Sequence, residues 1–227
     1  AALGHAHIVQ VHDFQTPAHE PAFLVMELLQ APSMYHVLRS GPMAAERVAR
    51  IGRHVLDALA AAHDIGIVHR DIKPANIMLV PSSTLGEVAK VLDFGIAKLA
   101  GSSTGPLSTG GLTGTIAFMS PEQAQGLDVD GRSDIYSLAV CMYVALSGQR
   151  PFEADTPTAM LSAIISGQHA ALGVLRPELD PWLVAIVERG LARNVADRYP
   201  DAHAMADELD AWLARLRALP VIGAPAA

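Results

Sequence analysis

The 227-residue sequence predicts an α+β fold, a short β hairpin followed by a mainly helical body. Three observations carry that expectation. Two β-rich runs, 8–14 (IVQVHDF) and 22–28 (AFLVMEL), are joined by a loop containing Pro17 and Pro21. Apolar residues then recur at spacings of three and four, at Val48, Ile51, Val55, Leu59 and Ala62. Beyond residue 130, further helical stretches alternate with Pro, Gly and Asp breakers.

In chain order, the hairpin gives way after Gly41-Pro42 to the long amphipathic stretch AERVARIGRHVLDALAAAHD. Short strands are then expected at IVH before Arg70, at NIMLV after Ala75, and at AKVLD running into Asp93. The run GSSTGPLSTGG from Gly101 to Gly111 is Gly/Ser/Thr-rich and reads as a loop. Helices are expected at about 133–147, 157–166, 181–191 and 202–217. The final PVIGAPAA has no periodicity and reads as the start of a linker, and no internal repeat is present.

A chain of this length buries roughly 70% of its unfolded surface. Net charge is −7 and the isoelectric point about 5.7, so nothing points to a nucleic-acid surface. The single cysteine, Cys141, excludes an intramolecular disulfide and fits a reducing, cytoplasmic compartment. It lies in the most apolar run, Ile135 to Leu146, which at 12 residues is too short to span a bilayer. Lysine occurs only at 73, 90 and 98, while Arg and Ala abound, the bias of a GC-rich bacterial coding sequence.

The chemistry concentrates in HRDIKPAN, His69 to Asn76, and in DFG, Asp93 to Gly95. One carboxylate, one cation and two oxygen ligands in this order and spacing resemble the protein kinase family, in its bacterial, eukaryotic-like Ser/Thr form. The resemblance implies a protein-kinase-like fold, with the end of the small β lobe followed by a complete, mainly helical large lobe. It divides the chain into 1–30 (small lobe and hinge), 31–217 (large lobe) and 218–227 (start of a linker). It also implies transfer of the ATP γ-phosphoryl group to Ser/Thr hydroxyls of proteins, with Mg2+ as the metal.

On that resemblance, Asp71 orients or accepts the proton of the attacking hydroxyl, and Lys73 neutralises the phosphate. Asn76 and Asp93 hold metal. Thr115, in GTIAFMSPE, matches the threonine that lies against the catalytic aspartate. Met26 would stand at the back of an adenine pocket, with the Glu27 carbonyl and Leu29 N–H on the purine edge and Met78 as floor. Plain core packing is the other reading of both methionines. Arg70 resembles the arginine that grips a phosphorylated loop, with Thr109 and Thr113 leading the acceptors. Glu122, in Ser120-Pro121-Glu122, would pair with Arg198, and Asp134 would brace the catalytic loop.

The resemblance to a complete kinase is broken at the start. Before Phe23 the only glycine is Gly4, and no lysine precedes Lys73, so a phosphate-covering Gly-rich loop and an anchoring lysine are both lacking. The chain is therefore expected to be a fragment, inactive in isolation. A module of different class, a pseudokinase or scaffold that binds partners without catalysis, is the alternative. A small-molecule phosphotransferase leaves Thr115, Ser120-Pro121-Glu122 and Arg198 unexplained. Protein substrates and ATP are the expected partners, with no nucleic acid and membrane attachment only through segments outside the chain. A dimer for trans-autophosphorylation is compatible with the family.

Overall fold

A computed structural model describes residues 4–15, 23–93 and 116–218. Strands β1 (Val11–Gln15) and β2 (Phe23–Met26) form an antiparallel hairpin in which Gln15 faces Phe23 and Val11 faces Met26. The register slips between Val11 and Asp13. A short helix α1 (Met34–Leu38) precedes the long α2 (Ala45–His63). The hairpin β3 (Ile77–Ser82) and β4 (Gly86–Val91) follows, paired from Ile77↔Val91 to Ser82↔Gly86. The segment before β1 docks on this second hairpin. Val91 N–H donates to the His7 carbonyl (2.9 Å), and Val9 N–H donates to the Val91 carbonyl (3.0 Å).

The helical body contains α3 (Pro121–Ala124), α4 (Gly131–Ser147), α5 (Pro157–Ser166), α6 (Leu172–Leu175), α7 (Pro181–Gly190) and α8 (Ala202–Ala218). All the apolar positions that announced α2 are buried, and α2 packs on α8, α4 and β4. Helix α4 is buried on nearly all sides, packed against α2, α6, α7 and α8. Each Leu or Ile taken fully out of water there contributes about 1.5–3 kcal/mol. Asp130 caps its start by accepting the Arg132 N–H, and Gly148 ends it at φ 75°. Close packing also constrains α7: a Cβ on Gly190 would sit 2.7 Å from the Cβ of Ala139. Burial raises the pKa of the Cys141 thiol, so it behaves as a small apolar side chain. Among the described residues, no helix is long and apolar enough to cross a membrane.

The hairpins and the four longer C-terminal helices lie where periodicity placed them. One expected strand, Ile67–His69, is not a strand. Its N–H groups are taken elsewhere, Ile67 by the Ala62 carbonyl (2.9 Å) and His69 by the Asp134 carboxylate (2.8 Å). That segment is the approach to the site.

Candidate active site

The loop from His69 to Asn76 lies between α2 and β3 and is built around a strained residue. Arg70 has φ 70°, and Asp93 at the far side has φ 65°. They are the only two non-glycine residues at positive φ among the described residues, each conformation costing about 1–3 kcal/mol. What holds Arg70 is Asp134 in the first turn of α4. Its Oδ1 accepts the Arg70 N–H and its Oδ2 the His69 N–H, both at 2.8 Å. His63, in the last turn of α2, places Nε2 2.8 Å from the same Oδ2. Asp134 is wholly buried, so these partners replace the water it has lost. The helix must begin with glycine here: a Cβ on Gly131 would stand 2.6 Å from His63 Nδ1.

His69 ties the loop to the end of β4. The Asp71 N–H donates to its Nδ1 (3.2 Å), which leaves Nε2 to carry the proton and donate to the Leu92 carbonyl (2.7 Å). The Leu92 N–H in turn donates to the Asn76 carbonyl (2.9 Å). The short 3₁₀ turn Pro74–Asn76 then starts β3.

Within this frame three of the expected residues meet. Lys73 Nζ donates to Asp71 Oδ2 (2.7 Å), and Asn76 Nδ2 donates to the same oxygen (3.1 Å) and to the Asp71 carbonyl (2.9 Å). Both side-chain bonds land on Oδ2, so Oδ1 carries neither. The Asp71 side chain is 44% exposed, open to an incoming group. The Asn76 side chain is buried with its nitrogen turned to Asp71, which directs its oxygen away from that carboxylate. Asp93 is exposed one residue beyond Leu92.

The residues expected around a purine lie outside that hydrogen-bonded cluster. Met78 is half-buried on β3, opposite Lys90 in register and bridged to Ser33. The Glu27 carboxylate accepts from Lys90 Nζ (2.6 Å) and from the Gln10 N–H (2.9 Å). The Lys90 bond lowers the pKa of Glu27. Leu29 is half-buried and Met26 is 36% exposed, so neither methionine belongs to the buried core. The Arg70 guanidinium is exposed and makes no ion pair among the described residues. Thr109, Thr113, Thr115, Phe94 and Gly95 lie outside the described residues.

Two further features frame the loop. Arg198 clamps Glu122 with bonds of 2.7 and 2.8 Å, and Ser133 Oγ donates to the same carboxylate. Burial alone would raise the Glu122 carboxyl, but Arg198 and Ser133 outweigh it and hold it at about 2. The second was not anticipated: Gln123 Nε2 donates to the Arg70 carbonyl at 2.8 Å. The sequence signal was there, since Ser120-x-x-Gln123 is a capping-box pattern. That pattern marks a helix start and not the contact 53 residues away.

Comparison with known proteins assigns the chain to a family. The protein kinase domain model matches residues 1–208, and the chain belongs to that family. It is 40% identical over its whole length to the serine/threonine-protein kinase pkn2 of Myxococcus xanthus. It is 39% identical, again over its whole length, to PknL of Mycobacterium tuberculosis, and 36% identical over 92% of the chain to PknB of that species. The chain spans 28%, 55% and 34% of the lengths of these three relatives. Among solved structures, the kinase domain of Mycobacterium tuberculosis PknI superposes with a TM-score of 0.69 at 27% identity. That match covers 92% of this chain and 72% of the other.

Proposed function

We propose that the protein carrying this chain is a Ser/Thr protein kinase that transfers the γ-phosphoryl group of ATP to Ser/Thr hydroxyls of proteins. The observation that carries this reading is the Asp71–Lys73–Asn76 cluster, with one carboxylate oxygen held and the other open.

In this reading Asp71 Oδ1 takes the hydroxyl proton as the substrate oxygen attacks the γ-phosphorus. The bond from that phosphorus to the β–γ bridging oxygen breaks, and ADP leaves. Lys73, held beside Asp71, offers positive charge to the transferring phosphoryl oxygens. The donor set suits a hard cation: the Asn76 amide oxygen and the Asp93 carboxylate would hold Mg2+. When bound, that ion neutralises charge on the phosphates. Met26, Glu27, Leu29 and Met78 would line the purine, and Thr115 would favour a Ser/Thr acceptor. The exposed Arg70 guanidinium receives a phosphate placed on Thr109 or Thr113, through paired hydrogen bonds.

The test is to incubate the full-length protein with γ-labelled ATP, magnesium and a mixed protein substrate, then hydrolyse and identify the labelled amino acids. Phosphoserine and phosphothreonine are expected. Label confined to a small molecule, or no transfer with ATP bound, would overturn the reading. Mass spectrometry of the same reaction tests Thr109 and Thr113: an active enzyme with both unmodified would remove them as regulatory sites.

A further inference from the structure

The peptide unit joining Arg70 to Asp71 is held at both ends. Its N–H, belonging to Asp71, donates to His69 Nδ1 at 3.2 Å. Its carbonyl oxygen, belonging to Arg70, accepts from Gln123 Nε2 at 2.8 Å. With two opposite ends of a planar unit fixed, the plane cannot rotate about the chain. That plane sets the direction in which the Asp71 side chain leaves the backbone. Arg70 itself sits at φ 70°, where a non-glycine residue does not stay unaided.

Gln123 can do this because its amide is engaged at both the oxygen and the nitrogen. It is the third residue of α3, and its Oε1 accepts from the Ser120 N–H (2.9 Å) and the Ser120 hydroxyl (3.2 Å). That leaves the amide nitrogen pointing across to the loop. Anchored at its oxygen by the helix cap, the side chain is a short rigid strut rather than a free rotor. A capping bond alone asks only for an acceptor at this position. The reach to Arg70 asks for a donor as well, and glutamine supplies both.

We propose that Gln123 is a positioning residue for phosphoryl transfer: it holds the Arg70–Asp71 peptide plane and so aims the Asp71 carboxylate. The inference rests on the reading of Asp71 as the group that takes the substrate proton. The seating of α3 and the aim of Asp71 are then one geometric unit, joined by a single bond.

The test separates cap from strut in the full-length protein. Gln123→Glu keeps an acceptor for Ser120, forms an equally good capping box, and removes the donor to Arg70. Its unfolding temperature should fall by less than that of Ser120→Ala. Its kcat should fall about 10- to 100-fold, the scale of a misplaced reacting group, with KM for ATP within about twofold. Ser120→Ala removes the cap hydroxyl but leaves the Ser120 N–H on Oε1 and the donor to Arg70, so it should lower the unfolding temperature and cost kcat far less than Gln123→Glu. A wild-type kcat in Gln123→Glu would overturn the proposal. So would a kcat loss matched by an unfolding shift as large as that of Ser120→Ala. Asp71→Asn measured alongside distinguishes the two levels. Full activity there sinks the reading of Asp71 itself. An inactive Asp71→Asn beside a fully active Gln123→Glu sinks only the role of Gln123.

Discussion

Asp134 accepts the backbone N–H of Arg70 at 2.8 Å, from a carboxylate wholly buried at the start of α4. A strained residue in the His69–Asn76 loop is thereby held by a charge in the helical core, and the His69 N–H and His63 share that charge.

Replacing Asp134 with Asn should therefore cost both stability and activity. One amide oxygen cannot serve three donors, and the new NH2 group would face an N–H. Bonds to a charged acceptor are worth about 1.5–3 kcal/mol each. Denaturant unfolding should show a loss of at least about 2 kcal/mol, with kcat reduced beyond what partial unfolding explains. A variant of unchanged stability would mean that the loop holds its own conformation.

The Glu122–Arg198 pair gives a second test. Both side chains are almost fully buried, and removing one partner leaves an uncompensated charge. Arg198→Met should lose about 3–5 kcal/mol, whereas a loss under about 1 kcal/mol would contradict the pairing as a strut of the fold. The folded carboxyl titrates at about 2, below its ordinary range. Its contribution is thus complete above about pH 4.5 and is lost as pH falls toward 2. Glu122→Gln should flatten that part of the stability–pH curve.

His54 should produce an acid dependence at milder pH. Its Nδ1 accepts the Ala89 N–H at 3.2 Å, so the ring must be neutral on that side, and it stacks on His7 at 4.3 Å. Burial, and then the neighbouring His7, push His54 down to about 4. Because the folded value is depressed, the unfolded chain binds the extra proton first. Stability is complete above about pH 6.5 and declines as pH falls toward 4. Asn at position 54 offers an oxygen to Ala89 without titrating, so His54→Asn should lessen the slope between pH 6.5 and 4. Urea titrations at several pH values would show this, and an unchanged slope would place the acid sensitivity elsewhere.

How much of this was legible follows from how far each signal travels. Helix α2 was readable because its buried face repeats every three or four residues for 19 residues. Helices α1 and α6, of five and four residues, are too short to repeat and were not foreseen. Ile67–His69 looked like a strand because its apolar residues suit one, but its N–H groups answer to a carboxylate 65 residues away. Asp71, Lys73 and Asn76 lie close in sequence, so their spacing already put them together. Gln123 carried only a local capping signal, and its reach to Arg70 needed the tertiary fold.

The central claim, that Asp71 takes the proton of the attacking hydroxyl, meets its most direct test in one comparison. Asn at position 71 keeps the shape and an acceptor oxygen but cannot take up a proton. Phosphoryl transfer by the full-length protein and by its Asp71→Asn variant should be measured at saturating ATP, with unfolding curves confirming equal stability. General-base catalysis contributes roughly 10²–10⁴-fold, so the account predicts a kcat at least about a hundredfold lower. A variant retaining more than about a tenth of the wild-type rate would contradict it.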